Sequence, residues 1–179
     1  MAVVTNRLRA ETVTAPAGAT RLRAVARAPS HRSRVRAVLG VDRDRWLGAP
    51  IDPQPPLPPG VTRHALDLEM SVGAGAAEVA LRKAAFVDAG ILSEAPAPKR
   101  ALEVPISWRA STMAPLFPVF AGTLRWAGGE LSLEGWYAPP LGTVGQAADR
   151  MLFRVVARRT AHWLLDRIVA EMAAEAPRP

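Results

Sequence analysis

The sequence predicts an α+β fold in which an antiparallel sheet grips a long C-terminal helix, the sheet and helix together occupying residues 61–175. Three observations predict it. Runs between Arg63 and Tyr137 alternate apolar and polar residues, the period-2 pattern of half-buried strands. Gly128–Gly129 separates two of these runs and reads as a tight hairpin turn. The segment from about Val144 to Glu175 carries an apolar stripe at helical spacing and is too long to stand alone.

The first strand is Arg63–Val72, where Leu66, Leu68, Met70 and Val72 point one way and Asp67, Glu69 and Ser71 the other. Ala76–Ala89 reads as a helix, with Val79, Leu81, Ala84, Ala85, Phe86 and Val87 on its apolar side and a favourable Glu78–Arg82 pair. Gly90 would end it. Glu94–Arg100 is a proline-containing loop. A second strand follows, in which Leu102, Val104, Ile106 and Trp108 alternate with Glu103, Ser107 and Arg109. Its Pro105 points to an edge position or a bulge. Phe117–Trp126 places Phe120, Leu124 and Trp126 on one parity. Leu131–Tyr137 sets Leu131, Leu133 and Tyr137 against Ser132, Glu134 and Trp136, and the Gly-Gly connection makes these last two strands antiparallel neighbours. On the final helix, Phe153, Val156, Ala157, Thr160, Leu164 and Ile168 form the stripe, and Arg150, Arg154, Arg158 and His162 a basic row.

The first third differs in character. Residues 1–60 hold ten Arg against four acids, a net of +6, whereas residues 61–179 hold thirteen bases against twelve acids, a net of +1. Composition therefore divides the chain into a basic, Pro-rich, partly disordered N-terminal arm and linker over residues 1–60 and a domain over 61–175. Arg21–Arg27 reads as an extended arm or a weak strand. Val35, Val38, Leu39 and Trp46 are spaced for a short helix that docks through Trp46. The proline run from Ile51 to Gly60 is a stiff spacer. The basic charge favours a nucleic acid or an acidic partner for the arm. Its strength as a signal is reduced because only Lys83 and Lys99 of the twenty-three bases are lysine, which points to a coding bias toward Arg, Ala, Pro and Gly.

Several chemistries find no support. The chain has no cysteine, which excludes disulfides, thiolate metal sites and a Cys nucleophile. His31, His64 and His162 have no metal-ligand spacing and read as structural. Gly73-Ala74-Gly75 is an incomplete dinucleotide fingerprint, and no Gly-x-Ser-x-Gly elbow occurs. Asp149, Asp166 and Glu134 lack an evident acid–base partner. No catalytic residue, metal site or cofactor is expected. The absence of a long apolar run or a secretory leader pattern makes a cytoplasmic protein without a membrane span the expectation.

One order of elements resembles a known superfamily. A strand, a short helical segment, antiparallel strands and a long C-terminal helix is the order of the START-like helix-grip fold, the polyketide cyclase/dehydrase or SRPBCC superfamily. The stretch Leu131–Leu165 is similar to the last-strand-to-helix passage of small bacterial members, through Gly135, Tyr137, Pro139, Pro140, Leu141, Gly142, Gly145 and Asp149. The resemblance spans Val61 to Met172. Four strands are legible where the full fold has more, which leaves the grip incomplete or partly built from the N-terminal region. The resemblance implies binding of a hydrophobic or lipid-like small molecule. Aromatic and aliphatic side chains line such sites, and the lining expected here is Trp108, Phe120, Trp126, Tyr137, Phe153, Val156 and Thr160. Non-enzymatic binding is thus the leading expectation. An interaction or scaffold module acting through the Arg-rich arm is second, and a cyclase-like enzyme third.

Overall fold

Alternation of apolar residues along the chain becomes alternation of burial in the structure. A computed structural model describes residues 15, 18–53, 55–72, 79–96, 100–112, 119–138 and 149–174. In chain order the elements are β1 (Thr20–Arg27), α1 (Arg32–Gly40), α2 (Asp44–Leu47), β2 (Pro50–Ile51), β3 (Thr62–Val72), β4 (Val79–Ala89), β5 (Ser93–Glu94), β6 (Leu102–Ala110), β7 (Val119–Ala127), β8 (Glu130–Ala138) and α3 (Asp149–Ala174). Among the described residues eight strands form one antiparallel sheet, in the order β1-β8-β7-β6-β4-β3-β2, with β5 pairing β6 beside that path. The class is α+β, a large antiparallel sheet packed on a long C-terminal helix.

The central strands follow the period-2 expectation. Leu102, Val104, Ile106 and Trp108 of β6 are buried, as are Phe120, Leu124 and Trp126 of β7 and Leu131, Leu133 and Tyr137 of β8. Gly128 and Gly129 join β7 to β8 with φ of 59° and 88°, a left-handed pair that glycine adopts without strain and that matches the twist of a two-residue hairpin.

Ala76–Ala89 differs from its expected form. From Val79 to Ala89 the chain is strand, paired with β3 from Val72↔Val79 to Thr62↔Ala89. Residues 76–78 lie outside the described residues. The alanine-rich sequence and the Glu78–Arg82 spacing suit a helix, but the decisive pattern is Ala85, Val87 and Ala89 buried on one parity. Small residues at both parities hide that alternation, and long-range pairing overrides a weak helical preference.

Pro105 is not on an outer edge. It pairs Thr123 of β7 on one side. On the other side the β4 ladder ends at Ala89↔Ile106 and β5 begins only at Ser93↔Glu103. The Gly90 N–H donates to the Pro105 carbonyl at 2.8 Å. The missing proline N–H falls where one neighbour stops and the next has not started, so no ladder bond is lost.

The core extends across the composition boundary at Gly60. β1 pairs β8 from Thr20↔Tyr137 to Arg27↔Glu130 and buries Leu22 and Ala24. Val35, Val38, Leu39, Trp46 and Leu47 of α1 and α2 are fully buried in the same core as the sheet and α3. The polar groups of Trp46 are matched. Trp46 Nε1 donates to the Val38 carbonyl at 3.0 Å, and Arg167 Nε donates to the Trp46 carbonyl at 2.8 Å. His64, 1% exposed, places Nδ1 2.8 Å from the Gly48 carbonyl and Nε2 3.0 Å from Thr62 Oγ1. The carbonyl can only accept, so Nδ1 carries a proton.

α3 is described from Asp149 onward, and the expected start at Val144 lies outside the described residues. Val156, Ala157, Thr160, Ala161, Leu164, Leu165, Ile168 and Met172 form its buried face. Arg154, Arg158 and His162 are exposed on another face. The helix packs against β1, β8 and β3, strands from opposite ends of the sheet order, and against α1 and α2. A sheet whose two ends both reach one helix must curl around it. That arrangement is consistent with a helix-grip fold.

Candidate functional site

Register partners on neighbouring strands stand side by side on one face of a sheet. Trp108 of β6 pairs Phe120 of β7, and Phe120 pairs Tyr137 of β8. These three aromatics therefore form a row across the concave face, at right angles to the strands. The Trp108 and Phe120 rings stack with centroids 4.0 Å apart and planes at 18°.

Two glycines allow Phe120 to lie as it does. Gly122 and Gly135 are register partners on the same parity as the aromatic row. A Cβ on Gly122 would come 2.8 Å from Phe120 Cζ, one on Gly135 would come 2.9 Å from it, and each would meet the facing strand's backbone as well. The ring tip occupies the space that two side chains would fill. Close approach of backbone and ring, not turn geometry, is what requires glycine here.

The N-terminal half of α3 covers this row. Between helix and sheet lies a cavity of about 30 Å³, lined by Leu68, Lys83, Ala85, Trp108, Ala110, Phe120, Tyr137, Val156, Ala157 and Thr160. Counting space continuous with solvent at its mouth, the depression amounts to about 460 Å³. The inner void holds roughly one or two waters, so an organic ligand must extend through the mouth or move side chains aside. Toward the C-terminal half of α3 the corresponding space is filled by α1 and α2, where Arg167 meets the Trp46 carbonyl.

The polar groups of the wall are Lys83, Tyr137 and Thr160. Thr160 Oγ1 donates to the Glu69 carbonyl at 3.2 Å, tying α3 to β3 beyond the reach of the short strand β2. Lys83, half-buried on the inward parity of β4, donates from Nζ to Thr112 Oγ1 at 2.9 Å. Tyr137 is 2% exposed.

Of the seven lining residues expected from sequence, Trp108, Phe120, Tyr137, Val156 and Thr160 meet at this cavity. Trp126 does not. It lies at the other end of β7, where its indole N–H donates to the Pro29 carbonyl at 3.1 Å and anchors the link from β1 to α1. Its parity is that of Phe120, but six residues of strand carry it roughly 20 Å away. The Phe153 side chain lies outside the described residues. Leu68, Lys83, Ala85, Ala110 and Ala157 line the cavity without having been expected there. The helix-like composition of β4 hides Lys83 and Ala85, and alanines give no sequence signal for a cavity.

The opposite face of the sheet holds a separate buried ion pair. Arg63 and Asp88 are register partners, joined by Nε–Oδ1 at 2.6 Å and Nη2–Oδ2 at 2.8 Å, with side chains 7% and 13% exposed. The hydrogen bond to Asp88 raises the Arg63 pKa, so the guanidinium stays charged despite burial. Phe86 lies between Arg63 and Arg109, with guanidinium carbons 5.7 Å and 5.3 Å from its ring centroid. This group is structural and faces away from the cavity.

Among the described residues no group of three or more His, Asp and Glu side chains converges as a metal site would require, and no helix is long and apolar enough to cross a membrane. No protein-family model matches the chain, and no curated protein matches it. Fold and cavity define a class of protein: an α+β sheet closed over a long helix, with an aromatic-floored depression between the two.

Proposed function

We propose that this chain is a cytoplasmic, helix-grip protein of the SRPBCC type that binds a small hydrophobic molecule between the sheet and α3 without transforming it. The observation that supports it is the Trp108–Phe120–Tyr137 row facing Val156 and Ala157 across a void that is open at its mouth. Aromatic floors with a few polar groups are the usual make-up of small-molecule pockets. Binding without catalysis is favoured because the described lining includes no carboxylate or histidine to pair with Tyr137 or Lys83 in acid–base work.

Nile red, an uncharged apolar dye, tests the reading on the purified full chain. Its fluorescence should rise on binding, and Ala157→Leu, which fills the void from the helix side, should remove most of that rise. Circular dichroism must show that the variant still folds, since overpacking costs about 1–3 kcal/mol. Unchanged dye binding in a folded Ala157→Leu protein would place the ligand elsewhere.

The second reading, an Arg-rich arm for nucleic acid or an acidic partner, has less support. Arg23 is engaged by Glu134 at 3.2 Å, and Arg32 and Arg36 are both engaged by Glu94. It would regain ground if the full chain bound DNA with an affinity falling steeply as salt rises.

A further inference from the structure

Where α3 turns Val156, Ala157 and Thr160 toward the cavity, it turns Arg154, Val155, Arg158 and His162 outward, all four exposed. From Arg154 to Leu165 the helix carries three arginines and no carboxylate, and its next acid is Asp166. Arg154 and Arg158 pair with no carboxylate among the described residues. A solvated helix face ordinarily alternates the two signs of charge and links them as i,i+4 pairs. This face carries one sign only. Arg154, Arg158 and His162 follow one another at intervals of four residues, a row about 12 Å long. Val155 lies within the same face, three residues before Arg158 and seven before His162, and is 45% exposed.

We propose that this outward face of α3 docks on an anionic lipid surface. The Arg154 and Arg158 guanidiniums meet head-group phosphates, and their aliphatic stems lie along the boundary beneath. The Val155 side chain enters that boundary between them. A nucleic-acid strand would satisfy the guanidiniums but leave Val155 in water, whereas a lipid surface takes both the charge and the exposed aliphatic group. The helix lies on the surface and does not enter further, because its apolar stripe stays in the core of the fold. Docking of this kind sets the cavity one helix diameter, about 10 Å, from the head groups. It does not depend on what the cavity holds.

Sedimentation of the full chain with vesicles tests this. The protein should pellet with vesicles of equal parts phosphatidylcholine and phosphatidylglycerol and stay in solution with phosphatidylcholine alone. Arg154→Gln with Arg158→Gln should lower the partition constant about thirtyfold, at about fivefold for each arginine near an anionic surface. Arg21→Gln with Arg27→Gln, exposed on the opposite face of the sheet, should pellet as the unaltered protein does. Both pairs are surface changes, and circular dichroism checks that the variants fold. The chain has no cysteine, so Val155→Cys offers a single attachment point for an environment-sensitive dye. Its emission should move to the blue on the mixed vesicles. The same dye on Val41→Cys, at a position 88% exposed at the end of α1, should not move. Failure to pellet with the mixed vesicles, equal pelleting with both kinds, or pelleting that the folded Arg154/Arg158 variant retains would overturn the proposal. An unmoved dye at position 155 would overturn it too. Capture of a DNA duplex that the same double variant loses, with no dye shift on vesicles, would assign the face to nucleic acid instead.

Discussion

Gly122 and Gly135 show how much of the site rests on atoms that are absent. Both face the concave side, and the tip of Phe120 lies across them. Gly135→Ala should therefore destabilise the fold by about 1–3 kcal/mol, because a methyl group meets both ring and backbone in a packed layer. A urea midpoint indistinguishable from that of the unaltered protein would show that Phe120 does not lie there. Arg63 and Asp88 make the contrasting case, a pair satisfied by each other. Removing one partner leaves a buried charge alone, so Asp88→Ala should cost roughly 3–5 kcal/mol. Replacing both with well-packed apolar residues should cost far less, and chemical denaturation of the single and double variants reads the difference. His64 belongs with this group. Both ring nitrogens are matched within the fold, as expected of a structural histidine.

At the scale of the element, α3 joins two roles. Its C-terminal half packs into the core through Leu164, Leu165, Ile168 and Met172, all fully buried. Its N-terminal half roofs the cavity through Val156, Ala157 and Thr160. Leu164→Ala should accordingly lose about 2–5 kcal/mol of stability, whereas Arg158→Ala, on the exposed face, should stay within about 0.5 kcal/mol. Thermal melts of the two proteins would reveal a mistaken helix orientation if their order were reversed. β4 is the element least legible in the sequence. Among its described side chains Val87 is the largest that is fully buried, flanked on the same parity by Ala85 and Ala89, with Phe86 half-buried on the other face. An alternation built from alanine carries little hydrophobic contrast, so the strand shows itself only once β3 and β6 stand on either side of it.

For the whole molecule, the relevant question is where the folding unit begins. Composition marks a break at Gly60, but β1, α1 and α2 contribute Leu22, Ala24, Val35, Val38, Leu39, Trp46 and Leu47 to the one core. A protein lacking residues 1–60 should therefore lose its cooperative thermal transition. A sharp melt and dispersed amide resonances from residues 61–179 alone would contradict this. The four strands legible in residues 61–179 fall short of a full grip for the same reason, because β1 comes from the basic segment and β4 is concealed. Along β1, Arg21, Arg23 and Arg27 are exposed while Leu22 and Ala24 are buried, the alternation that suits a strand at the sheet's end, charged outward and apolar inward.

Local periodicity is enough to define the strands β3, β6, β7 and β8, the Gly128–Gly129 hairpin and the buried stripe of α3, because each is written with strong contrast between apolar and polar residues. It also picks out five side chains that do meet at the cavity, since residues of one parity must share a face. Three outcomes come from the tertiary structure instead: β4 is a strand, the basic first third completes the sheet, and Trp126 stands away from the cavity while Lys83 stands at it. Those outcomes depend on which distant segments pair and on how far along a strand a residue sits, and neither is encoded in the spacing of a single run.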